Sequence, residues 1–131
     1  ERHTISSAAL MARLIKEAGS PALGVIFDPC NLVPSTGIRS QQAFIDDCFD
    51  AFGEHIIAVH AKDYVLEDSP DGPKKSSTLP AGSGDLDWKA IFRKLEDYGK
   101  ADVPILLEEI KPESIPSTIQ RLQALWDSRK S

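Results

Sequence analysis

The chain has 131 residues, 41% hydrophobic and 27% charged, with a formal net charge of -5 at pH 7. That is enough for one folded unit with a core, and the negative balance, with basic residues scattered apart from Lys74-Lys75, argues against a nucleic-acid partner. No apolar run approaches the ~20 residues that cross a bilayer, and no secretory leader is visible from Glu1 onward.

Residues from about Ser6 to Ala18 read as a helix, capped by Ser6 or Ser7, with an apolar stripe of Leu10, Met11, Leu14 and Ile15. Gly19-Ser20-Pro21 stops it. Leu23-Gly24-Val25-Ile26-Phe27 is a short apolar run that ends in Asp28-Pro29, and a loop with Asn31, Pro34 and Gly37 follows. A second helix spans about Gln41 to Phe52, since Ile45, Cys48, Phe49 and Phe52 fall at i, i+3, i+4 and i+7. Its acidic side, Asp46, Asp47 and Asp50, reads as a solvated face.

Gly53 ends that helix, and Ile56-Ile57-Ala58-Val59 leads to His60-Ala61-Lys62-Asp63. Asp63 to about Gly84 then reads as one long loop, turn-rich and charged at Glu67 to Lys75, mobile from Asp63 to Ser77. Gly82 and Gly84 permit either a tight turn or close approach of the backbone to a ligand. Asp87 caps a third helix with Trp88, Ile91, Phe92 and Leu95 inward and Gly99 at its end. The third apolar run, Ile105-Leu106-Leu107, ends in Glu108. Pro112 to Pro116 opens a last helix, capped by Ser114, whose expected buried stripe is Ile115, Ile119, Leu122 and Trp126.

Alternation of helix and short buried strand predicts a parallel α/β sheet of about three strands with flanking helices. Cys30 and Cys48 are spaced for neither a zinc site nor a redox motif. Cys48 lies on an apolar helix face, so a buried free thiol is expected, with a disulfide as the alternative, and a reducing, cytoplasmic setting with it.

In parallel α/β folds functional groups gather beyond the carboxyl ends of the strands. Asp28, His60 and Glu108 all fall there, and a mixed carboxylate and imidazole set suits Mn²⁺, Co²⁺, Zn²⁺ or Mg²⁺. Each also has a structural use: Asp28 in a turn with Pro29, His60 in the core, Glu108 or Glu109 in a pair with Lys62 or Lys111. Their arrival in phase on three successive strands favours the metal site.

Lys62, two residues past His60, points the same way along a strand, either toward an anionic or hydroxylated substrate or to the surface. Asp63 is placed to orient Lys62 or a ligand histidine. Asn31 reaches either a substrate hydroxyl or its own turn, and His3 faces either the same rim or solvent. Trp88 and Trp126 are core residues on this pattern. Strand alternation lets only one of Glu108 and Glu109 face the site, and Glu108 ends the apolar run.

At Gly24-Val25-Ile26-Phe27-Asp28-Pro29-Cys30-Asn31, Val59-His60-Ala61-Lys62-Asp63, Pro80-Ala81-Gly82-Ser83-Gly84-Asp85-Leu86-Asp87-Trp88 and Pro104-Ile105-Leu106-Leu107-Glu108 the chain resembles the sugar phosphate isomerase/epimerase family, the xylose-isomerase-like TIM barrels. Order and spacing agree over nearly the whole chain. The resemblance implies that residues 1–131 are a single-domain fragment, the C-terminal part of a (β/α)₈ TIM barrel and so an incomplete barrel.

It further implies that Asp28, His60 and Glu108 are three ligands of a divalent metal on the sixth, seventh and eighth strands. The fourth, a glutamate, would lie just upstream of Glu1, with Glu1 itself the weaker choice. Many relatives carry histidine where this chain has Asn31. The implied activity is a metal-dependent sugar or polyol isomerase or epimerase with Glu108 as a proton-transferring residue. The substrate is a small carbohydrate bound by Asn31, Lys62 and His3, and the missing half of the barrel, or a second chain, is needed for activity. A lyase on the same scaffold, dehydrating an inosose or a dehydroshikimate-like acid, and a non-catalytic sugar-binding fragment are the alternatives. An abasic-site endonuclease, which would want more histidines than His3, His55 and His60, ranks lower.

Overall fold

Ser7 accepts a hydrogen bond from the Leu10 amide, and this cap starts α1 (Ala8–Ala18); Gly19, at φ 56°, ends it by returning its N–H to the Ile15 carbonyl. The computed structural model describes residues 5–131, so His3 and Glu1 lie outside the described residues. The chain then runs through β1 (Val25–Phe27), a one-turn helix α2 (Pro29–Leu32), α3 (Gln41–Phe52) and a single 3₁₀ turn into β2 (Ile56–Glu67). There follow β3 (Lys74–Pro80), α4 (Trp88–Asp97), β4 (Ile105–Leu107), a second 3₁₀ turn and α5 (Ile115–Asp127).

β2 is the central strand. Its first half pairs in parallel with β1 on one side (Ile26 opposite Ala58) and with β4 on the other (His60 opposite Leu106). The helix-facing side of this sheet carries the core: Phe27 stands edge-on to Phe49 and Phe52, with ring centroids 5.6 and 5.4 Å apart. Val25, Ile56, Val59, Trp88, Ile91 and Leu95 complete it.

The other side presents Ile26 and Leu106, 49% and 42% exposed, in the rows that lead up to Asp28 and Glu108. An apolar groove of about 480 Å³ also lies open between α4, β4 and α5, lined by Phe92, Val103, Ile105, Leu107, Ile119 and Trp126. This is the surface a sheet leaves bare when three parallel strands stand where eight close a barrel.

Three expectations need correction. Asp63 to Gly84 is not one loop: β2 continues to Glu67 and pairs antiparallel with β3, with Lys62 opposite Pro80 and Glu67 opposite Lys74. The turn chemistry of Ser69 to Gly72 closes this hairpin, Gly72 taking φ 101° and donating its N–H to the Ser69 carbonyl. The Lys75 ammonium clamps it to the end of α2, donating to the Cys30 and Val33 carbonyls at 2.8 Å each.

The face of α5 is also rotated from expectation. Thr118 and Leu122 are buried while Ile119 is 55% exposed, because Ile119 overlooks the open groove and Thr118 satisfies its hydroxyl on the Ser114 carbonyl. In α1, Leu10 and Leu14 are likewise exposed, and Met11 and Ile15 do the packing.

Both cysteines are free and buried. Burial pushes the Cys30 thiol up to about 11 and the Cys48 thiol up to about 12. Neither should react with a disulfide reagent at pH 8 in the folded protein, and both should react on unfolding; a thiol titration with and without guanidinium checks this.

Candidate metal centre

Asp28 and Glu108 each follow directly on a short apolar strand, and His60 lies inside β2, near the end of its parallel-paired half. β1 delivers Asp28, which also caps α2: its Oδ1 accepts from the Asn31 amide at 2.8 Å and its Oδ2 from the Asn31 side-chain Nδ2 at 2.7 Å. Asn31 therefore holds the carboxylate in one orientation. β4 delivers Glu108, whose N–H donates to the Ala61 carbonyl of β2. β2 presents His60, with Nδ1 3.8 Å from Asp28 Oδ2 and 3.4 Å from Glu108 Oε2. One ligand atom from each of Asp28, His60 and Glu108 lies within 4.8 Å of the others, close enough for a single cation to touch all three.

Lys62, on the same side of β2, reaches into the cluster. Its ammonium lies 3.0 Å from Glu108 Oε2, 3.5 Å from Asp28 Oδ2 and 3.9 Å from Glu109 Oε2. Glu108 Oε2 is buried and faces the Lys62 ammonium. The ammonium is its counter-charge, and the two carboxylates and the imidazole gathered there are donor types that a divalent cation takes. The residues present therefore fit a metal.

Glu109 also comes within reach of Lys62, against the alternation argument. β4 ends at Leu107, and Glu109 takes the left-handed φ of 51°, which turns the chain back toward the cluster.

The charges shift one another. Burial pushes the Asp28 carboxyl up, by more than the Asn31 amide and the Lys62 ammonium pull it down. Burial also raises Glu108, but Lys62 and His60 outweigh it and hold Glu108 below its ordinary value. Burial lowers Lys62, and the Glu108 and Asp28 carboxylates more than reverse this.

A lysine raised in the folded state adds stability that is fully present below its ordinary 10.5 and is lost as pH rises through the raised value. Metal-free protein should therefore lose a step of thermal stability above that pH. Lys62→Met should lack the step and be weaker by about 2 kcal/mol at neutral pH, less than the usual loss for a fully buried pair because Glu108 is partly open to water. Melting curves of both proteins from neutral to strongly alkaline pH, with chelator present, check it.

Asp63 does not orient Lys62 or His60. Fully buried, it accepts from the Tyr64 and Leu86 amides through Oδ1 and from the Gly82 amide and Trp88 Nε1 through Oδ2, at 2.9 to 3.1 Å. The 82–84 glycines serve this knot rather than a ligand. Gly82 turns at φ 78°, and a Cβ on Gly84 would run into the Tyr64 carbonyl oxygen and Asp63 Oδ1. Asn31, His60 and Glu108 line a cavity of about 390 Å³ beside the free edge of β1, where Ile26, Leu32 and Met11 form the apolar wall. The larger apolar groove lies away from these groups, at the β4 edge.

The family model described as Xylose isomerase-like TIM barrel matches residues 1–126. The chain belongs to that family. A crystal structure of a xylose isomerase domain protein from Planctomyces limnophilus superposes on 94% of this chain with a TM-score of 0.73 at 18% identity. The chain spans 44% of that protein, so it is a partial xylose isomerase-like barrel, and the likeness is one of fold. No curated protein sequence matches the chain. Among the described residues no helix is long and apolar enough to cross a membrane.

Within a xylose isomerase-like barrel the carboxyl ends of the strands carry the chemistry, and the Asp28, His60 and Glu108 cluster lies at that end of the three parallel strands. Two features sharpen the sequence reading: Glu109, offered there as a partner of Lys62, stands beside it, and Asn31 anchors Asp28. The first has a signal in the Glu108-Glu109 pair. The second has one in the Asp-Pro-Cys-Asn run, which is a helix cap as much as a turn.

Proposed function

We propose that the chain is the C-terminal, metal-holding part of a sugar or polyol isomerase or epimerase that depends on a divalent cation and moves a proton on the carbon next to a carbonyl. The observation that carries this reading is the convergence of Asp28, His60 and Glu108 on one point, where one ligand atom from each lies within 4.8 Å of the others. Mn²⁺, Co²⁺, Mg²⁺ or Zn²⁺ suits such a donor set. Bound there, the ion would polarise a carbonyl or hydroxyl of the substrate.

Asp28, kept in place by Asn31, and His60 hold the ion with Glu108. Glu108 takes and returns the proton, facing a second glutamate that belongs just upstream of Glu1 and would also be the fourth ligand. Asn31 and Lys62 face the hydroxyl or anionic groups of the sugar; His3, the third expected contact, lies outside the described residues. The bare row of Ile26 and Leu106 and the groove by α5 support a need for the remaining barrel strands, or a second chain, before the site works.

The test is exchange of substrate hydrogen with solvent. The intact protein with Mn²⁺ should place deuterium from D₂O beside the carbonyl of a ketose it accepts, and a chelator should stop this. Loss of water from an inosose or a dehydroshikimate-like acid, with no epimer formed, would assign a lyase instead. Metal binding with no exchange in any of these substrates would leave a sugar-binding barrel.

A further inference from the structure

Lys62 supplies a positive charge at the place where the metal reading needs another one. Its ammonium lies 3.0 Å from Glu108 Oε2 and 3.5 Å from Asp28 Oδ2. These are the same two oxygens that approach His60 Nδ1. A divalent ion among Asp28, His60 and Glu108 would draw on carboxylates that the ammonium already faces. Two cations at such separations repel in a site only partly open to water. Lys62 is only 4% exposed, so retreat into solvent is not open to it without unpacking the strand.

One acceptor remains within a small swing of the side chain. Glu109 Oε2 is 3.9 Å from the ammonium, its side chain about half open to water and outside the Asp28, His60 and Glu108 cluster. The left-handed φ of 51° at Glu109, uncommon for a residue with a side chain, places it there. A third carboxylate beside two ligand carboxylates adds repulsion when no metal is bound, and it has a use if it receives the lysine when metal enters.

We propose that Lys62 is the resident counter-ion of the centre in the absence of metal, that a divalent ion displaces it from Asp28 and Glu108 onto Glu109, and that Lys62 and Glu109 together set the affinity for the ion. This rests on the metal-centre reading above. Lys62 stays protonated throughout; only its partner changes. Lys62 and Glu109 are then positioning residues, acting through the ligands and through each other.

The experiment is a Mn²⁺ titration of the intact protein, with free Mn²⁺ counted by electron paramagnetic resonance. Lys62→Met should bind Mn²⁺ roughly ten-fold more tightly than wild type, since the competing cation is gone. Glu109→Gln should bind roughly three-fold more weakly, because the displaced ammonium has no carboxylate to go to. The side chain at 109 is half exposed, so this variant should fold whatever becomes of Lys62→Met.

In the Lys62→Met background, adding Glu109→Gln should change nothing, as Glu109 acts only through Lys62. Equal or weaker binding by folded Lys62→Met overturns the exchange, as does unchanged binding by Glu109→Gln alone. A Glu109→Gln loss of the same size in both backgrounds also overturns it, by making Glu109 a direct ligand or a source of general field. Absence of Mn²⁺ binding in wild type and every variant would overturn the metal centre itself, and the exchange with it.

Discussion

Glu108→Ala in the intact protein should lower turnover by about 10²–10⁴-fold, the usual span for a lost acid–base residue, and should weaken Mn²⁺ binding as well. Two roles meet in this carboxylate. Its Oε2 is buried, 3.4 Å from His60 Nδ1 and 3.0 Å from the Lys62 ammonium. Glu109→Ala should cost only several-fold, because Glu109 touches the centre through Lys62 alone. His60→Ala should reduce metal affinity by at least about 100-fold, more than loss of an outer hydrogen-bond partner usually does. Metal titration and turnover with candidate ketoses measure all three. If Glu109→Ala loses both binding and rate while Glu108→Ala keeps them, the two glutamates have been given each other's roles.

The second large effect is on stability. Asp63→Ala should destabilise the fold by about 4 kcal/mol, enough to unfold a marginal domain. The fully buried Asp63 carboxylate accepts from three backbone amides and the Trp88 indole, and so ties β2, the 82–86 turn and the start of α4 together. Truncation leaves three buried donors and one part-buried donor without acceptors, each a loss of order 1 kcal/mol or more. Asp63→Asn should recover only part, since an amide has one acceptor oxygen and would turn its own N–H groups toward donors. Urea denaturation of the three proteins checks this. A loss under 1 kcal/mol for Asp63→Ala would mean that water replaces the carboxylate.

Much of the fold is legible where one side of an element is buried. α3 begins at Gln41 and ends at Phe52 as its periodicity predicts, because Ile45, Cys48, Phe49 and Phe52 all pack inward. α4 starts after its Asp87 cap for the same reason. β3 was not legible. Lys74-Lys75-Ser76 offers no apolar alternation, and the strand exists because β2 continues past His60 and needs a partner for its backbone groups. Ile119 shows the reverse: an apolar residue at helical spacing stays exposed because no described element covers the groove beneath it.

At the centre, residue types at strand ends were enough to bring Asp28, His60 and Glu108 to mind. Glu109 was legible as a partner for Lys62 but not as a residue facing the centre, because strand alternation ceases to govern once β4 stops at Leu107 and the backbone turns left-handed. The Asp63 knot depends on contacts 19 to 25 residues along the chain, beyond any local pattern.

The central claim is that one divalent ion sits among Asp28, His60 and Glu108. Anomalous diffraction from crystals of the intact protein grown with Mn²⁺ tests it most directly. The expected result is a single strong peak roughly 2.0–2.6 Å from a ligand atom of each of the three residues, the usual span for such bonds. No peak there at saturating Mn²⁺, with Lys62 still seated between Asp28 and Glu108, would contradict it.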